Sequence, residues 1–89
     1  MITLPTLQDG DLLQATVNGA PGWLRALGCN NGTVKLAQFL PKGSRQQQDL
    51  TDPVIMAPTM FIRAAYSANS LFEALMRVLG IAAAVQATK

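Results

Sequence analysis

Hydrophobic and polar positions alternate with period two in three runs between Leu12 and Leu40, the mark of half-buried strands. In Leu12–Val17, Leu13, Ala15 and Val17 fall on one face, Gln14 and Thr16 on the other. In Trp23–Cys29, Leu24 and Ala26 share a face, with Trp23, Arg25 and Leu27 opposite. In Thr33–Leu40, Val34, Leu36 and Leu40 group together, with Lys35 opposite. Asn18-Gly19 and Asn31-Gly32 separate the runs, and Asn-Gly supplies the positive φ angles of hairpin turns. The pattern predicts an antiparallel meander over 11–40, its first link being the five residues Asn18 to Gly22.

Before the meander, Pro5 opposes regular pairing and Asp9-Gly10 marks a turn. After it, Pro41 ends the third strand, and the polar run from Lys42 to Asp52 reads as an exposed loop spanning 41–53. Two apolar runs follow, Val54–Ala57 and Met60–Tyr66, read as short strands within 54–67 and divided by Pro58, which puts a bend or a sheet edge there.

From Leu71 the period changes to that of a helix, with Leu71, Leu75, Val78, Leu79 and Ala82 on one face. Ser70 and Glu73 have capping-box spacing, and Glu73 and Arg77 form an i,i+4 ion pair. Ala82 to Ala84 favour a helix over 70–86 with Gly80 inside it, at a cost of about 1 kcal/mol relative to alanine. The alternative is a helix capped by Gly80, with Ala82–Thr88 extended.

The expected fold is a single α+β domain over 1–89: a small antiparallel sheet or partly closed barrel of about five strands, with one C-terminal helix. Gly10-Asp11, Trp23-Leu24-Arg25-Ala26, Val34, Phe39 and Gly43, taken in that order, resemble an SH3-like barrel of the Tudor type over residues 10–43. The resemblance implies a module that binds peptides, in some members methylated ones through an aromatic cage, or nucleic acid, with Trp23 at the matching aromatic position. The family's acidic-tyrosine-glycine ending is replaced here by Leu40-Pro41-Lys42-Gly43, and the chain holds five aromatic residues in all, while a cation cage needs several aromatic faces.

Composition adds a reason to expect assembly. Charged residues are 13% of the 89 and hydrophobic ones 49%, against about 25% charged in typical soluble domains. The polar surface is built instead from neutral groups, including seven Gln and seven Thr. Such a surface suits permanent interfaces better than a freely diffusing monomer. The net charge of +2 comes from scattered Lys and Arg that are never adjacent, unlike the clustered basic face of a nucleic-acid binder. The single Cys29 and a start from Met1 to Asp11 without a basic-then-apolar signal point to a cytoplasmic protein. No apolar stretch reaches membrane-span length, because Arg63, Glu73 and Arg77 interrupt the second half.

Histidine is absent, which removes the commonest general base, metal ligand and pH switch. Cys29 has no histidine to activate it and reads as a small residue at a strand end. The pairs Asp9/Asp11 and Asp49/Asp52 lack calcium-loop spacing and read as turn formers. Gly10, Gly19, Gly22 and Gly28 sit in separate turns rather than in one phosphate loop. No enzyme activity, metal or cofactor is expected.

Two surfaces remain. Phe61, Phe72, Met76, Gly80, Ala83 and Ala84 offer an apolar face for a protein partner or a second copy, which makes this a non-enzymatic interaction or assembly protein: a small structural subunit, or an inhibitor or accessory protein docking on a larger partner. The alternative is a barrel that binds single-stranded nucleic acid by stacking on Trp23 and neutralising charge with Arg25 and Lys35. Short length and a neutral-polar composition also resemble the accessory and coat proteins of phages and other mobile elements, for which a virion-associated location would follow.

Overall fold

The two Asn-Gly pairs set the register of the sheet. The computed structural model describes residues 7–44, 46–63 and 68–80. Strands β1 (Leu12–Val17) and β2 (Ala20–Asn30) pair from Val17↔Ala20 to Leu12↔Arg25, so Asn18-Gly19 alone makes the turn. β3 (Thr33–Pro41) starts opposite Asn30, and Asn31-Gly32 alone makes the second turn. All four turn residues have positive φ (50°, 86°, 53° and 80°), as a two-residue type I′ hairpin requires. The first link is therefore shorter than the five residues expected: Ala20, Pro21 and Gly22 belong to β2.

Among the described residues, two further strands extend this into one open antiparallel sheet in the order β4-β3-β2-β1-β5. β4 (Gln48–Thr51) lies inside the stretch read as a polar loop and pairs with β3 from Leu36↔Thr51 to Phe39↔Gln48. The two apolar runs read as separate strands are instead one, β5 (Ile55–Ile62), which passes through Pro58. An edge strand tolerates a proline whose missing N–H would have pointed away from its single neighbour. Among the described residues β5 pairs only with β1, and its register shifts between Gln14↔Met60 and Thr16↔Met56. Ala57, Pro58 and Thr59 thus bulge opposite Ala15. Ala57 takes φ 47°, and the Thr59 hydroxyl donates to the Gln14 carbonyl at 3.2 Å.

Helix α1 (Leu71–Leu79) lies on one face of the sheet. Leu71, Ala74 and Leu75 join Leu12, Trp23 and Leu40 in one buried cluster, with Ile62, Phe72, Met76, Val78 and Leu79 partly buried against it. The opposite face carries the larger cluster: Leu13, Ala15 and Val17 from β1, Leu24 and Ala26 from β2, Ala37 and Phe39 from β3, with Leu7 and Val34. Leu50 from one edge and Ile55 and Phe61 from the other pack against it. Burial on both sides explains why β2 is buried continuously from Gly22 to Ala26, where a one-sided strand would alternate.

The N-terminus of α1 is tied down at three donors. Ser70 Oγ accepts from the Glu73 N–H at 3.1 Å, as its spacing predicts. The Glu73 carboxylate accepts from Asn69 N–H at 2.9 Å, one residue earlier than a capping box would place it. Gln47 Oε1, just before β4, accepts from Leu71 N–H at 2.9 Å. At the other end, Gly80 leaves the helix with φ 90° and ψ 159° while donating its N–H to the Met76 carbonyl at 2.9 Å. That φ suits glycine, so α1 ends at Leu79 and does not run through Gly80. The expected continuation over residues 81–86 lies outside the described residues.

Candidate interaction surfaces

Trp23 and Arg25 do share a sheet face, but it is the face that α1 covers. They are 3% and 6% exposed, so neither offers an open surface to a nucleic-acid base or phosphate. Arg25 instead serves the fold: Nη1 donates to the Ala68 carbonyl at 3.0 Å, holding the approach to α1. Burial pulls its guanidinium below its ordinary value, and the charge of Glu73 partly offsets this. Lys35 is exposed and pairs with Asp52 at 3.4 Å, while its carbonyl accepts from Asp52 N–H. It stands five positions along β3 from Leu40, the register partner of Trp23, or roughly 17 Å at strand rise. The expected three-residue nucleic-acid patch is therefore not assembled.

The expected partner-binding set is divided as well. Phe72 and Met76 are half-buried against the helix cluster, and Gly80 is exposed beyond it. Phe61 belongs to the other side of the sheet: it pairs with Leu13 and packs on the larger cluster, with the Arg63 guanidinium 5.4 Å from its ring centre. Ala83 and Ala84 lie outside the described residues. One continuous surface made from all six is thus not what the fold presents.

Apolar exposure is concentrated elsewhere. Along β5 and the residue before it, Val54, Met56 and Met60 are 60%, 58% and 43% exposed. No charged residue occurs from Pro53 to Ile62. The backbone beneath this row is held in place: Val54 N–H donates to Asn18 Oδ1 at 2.9 Å, and Asn18 N–H donates back to the Val54 carbonyl at 2.8 Å. A second apolar site, a hollow of about 390 Å³, lies at the other edge beside exposed Leu27 and Leu36, with Leu50 and Asp49 in its wall. Alternation grouped Leu36 with Val34 and Leu40, but Val34 packs in the larger cluster, Leu40 in the helix cluster, and Leu36 is left exposed opposite Gly28. Leu27 is the residue that the shifted pairing between Ala26 and Gly28 passes over.

The acidic residues are mostly structural. Asp11 is buried; its Oδ2 accepts from Gln8 N–H at 2.8 Å and lies 3.8 Å from Arg63 Nη2. Asp9 Oδ1 accepts from Cys29 N–H at 2.8 Å, tying the opening turn to the end of β2. Burial pushes the Cys29 thiol up, and the neighbouring charges of Asp9 and Asp11 and a hydrogen bond to Asp9 push it the same way. A raised thiol holds little thiolate at neutral pH and is a poor nucleophile. Among the described residues no three His, Cys, Asp or Glu side chains come together as metal ligands, and no helix is long and apolar enough to cross a membrane.

A cleft of about 310 Å³ opens where the β5 bulge stands over β1 and β2, lined by Gln14, Thr16, Trp23, Lys42, Ala57 and Thr59 among others. Neither Lys42 nor the positive φ of Ala57 was signalled by the sequence pattern, because both depend on how the edge strand bulges. No family model matches the chain, and no curated protein or solved structure is significantly similar to it.

Proposed function

We propose that this chain is a non-enzymatic interaction protein that docks through its β5 side onto a larger protein or onto further copies of itself. The observation that carries the proposal is the row of Val54, Met56 and Met60, exposed on a charge-free edge strand whose backbone is pinned. Isolated apolar residues on a surface are ordinary, but three in a row on an uncharged edge are not what a free monomer usually presents. Methionine adds adaptability, since its unbranched side chain repacks against varied surfaces. Half-buried Phe72 and Met76 on α1 stand as secondary contacts.

Pro58 and the bulge also bear on the mode of docking. They interrupt the free edge in its middle, which discourages open-ended strand addition. Side-chain contact from Met56 and Met60, rather than an extended run of backbone pairing, is the mode that fits. Support for a non-enzymatic role comes from the absence of histidine and from a cysteine whose thiol is held up. Sedimentation of the chain across a wide concentration range, alone and with Met56→Glu/Met60→Glu, tests the self-docking arm. Association that the double variant abolishes supports it, and association that the variant leaves intact assigns the contact to another face.

A further inference from the structure

The cleft beside Trp23 and Lys42 combines features that a chance surface groove has no reason to share. It is formed by a β-bulge, and bulges recur next to sites because they re-aim side chains. Its wall includes Ala57 at φ 47°, a left-handed conformation that a non-glycine residue adopts at some cost. The lining residues carry one charge, that of Lys42, and no carboxylate. Lys42 is exposed and has no acidic partner among the described residues, whereas Lys35, Arg63 and Arg77 are each paired with one. Thr16, Thr59 and Gln14 line the same cleft as polar residues, with Ala15, Pro21 and Ala57 among its apolar ones. At about 310 Å³ the cleft is at the small end of ligand sites, suited to a small molecule or part of one.

We propose that this cleft binds a small oxyanion, a carboxylate or phosphate group carried on a compact apolar body, with Lys42 as its counter-charge and Thr16 and Gln14 as neutral donors, the Thr59 hydroxyl being spent on the Gln14 carbonyl. The site is independent of the Met56–Met60 docking row: it rests on Lys42 and the inner side of the bulge, so either proposal can fail without the other.

Trp23 lines the cleft and is the chain's single tryptophan, so its fluorescence reports on the site. Acetate and inorganic phosphate, each titrated against sodium chloride at matched ionic strength, are the probes. Amide chemical shifts, read in parallel, locate the response. Saturable binding is expected with shifts centred on Lys42, Thr16 and Thr59, weakened about tenfold by Lys42→Gln and unchanged by Lys35→Gln. The tighter of the two probes identifies the group as carboxylate or phosphate. Lys42 is exposed and its backbone N–H, not its side chain, bonds the Pro21 carbonyl, so its replacement leaves the fold intact. No saturable response to either anion, or a response that survives Lys42→Gln, overturns the proposal.

Discussion

Arg25 and Ala68 are joined across the sheet–helix boundary: a guanidinium N–H from the middle of β2 reaches the carbonyl two residues before Ser70, at 3.0 Å. A cation buried at 6% exposure is costly to desolvate, and burial is the first cause of its lowered value. Its stem also fills space beneath α1. Arg25→Ala should therefore lose about 2–3 kcal/mol in urea unfolding, through the missing charge-assisted bond and the lost packing. Arg25→Met, which keeps the volume and removes the buried charge, should stay within about 1 kcal/mol of the parent. Equal losses in both variants would show that the bond matters more than the fill.

Gly22 lies on β2 opposite Pro41 of β3, with no room for a side chain. A Cβ there would meet the Leu40 carbonyl and come within 2.8 Å of the Phe39 ring. Gly22→Ala is expected to cost about 1–3 kcal/mol by overpacking, measured as a lower urea midpoint at unchanged slope. Gly19 has open space around the same position, so any cost of Gly19→Ala comes from its φ of 86° alone.

The two ends of α1 should respond separately. Ser70→Ala removes the acceptor of the Glu73 N–H and should cost about 1 kcal/mol. Gly80→Ala meets no neighbouring atom but forces alanine to φ 90° and ψ 159°, a region essentially reserved for glycine, costing about 1–3 kcal/mol by strain alone. A Gly80→Ala protein that gains helical circular dichroism and stability would mean that the chain prefers to run straight through this position.

Cys29 gives the stability a pH dependence with a definite sign. Its folded thiol titrates above the ordinary 9.0, so between the two values the folded state holds more protons than the unfolded one. Stability from this group is full below 9.0 and is lost as pH rises through the folded value. Cys29→Ala should flatten the alkaline part of a stability–pH curve. In the parent, reaction of the thiol with a disulfide reagent at neutral pH should be slower than that of a free cysteine.

Much of the fold was readable because local signals agreed. Asn-Gly turns, period-two alternation and the Ser70 cap each point to the element that forms. β4 was not readable, because an exposed edge strand needs only one inward apolar residue, and Leu50 alone in Gln48–Thr51 makes no pattern. β5 looked like two strands because Pro58 is tolerated only where a strand has one neighbour, and neighbours are a tertiary fact. The candidate sites were less legible for a related reason. Alternation put Trp23 and Arg25 on one face correctly, but which face α1 would cover is decided by packing. Phe61 and Ile62 adjoin in sequence yet serve opposite clusters, so an apolar run by itself does not define a surface.

The docking proposal is tested most directly by site-specific photo-crosslinking from position 56, with position 35 as control, in the cells that make the protein. Position 56 is exposed on the apolar row, and position 35 is equally exposed but charged and paired with Asp52. The expected result is a discrete adduct from position 56 and none from position 35, its mass giving a doubled chain or the chain joined to a larger protein. No adduct from position 56, in a chain that is expressed and folded, would contradict the account.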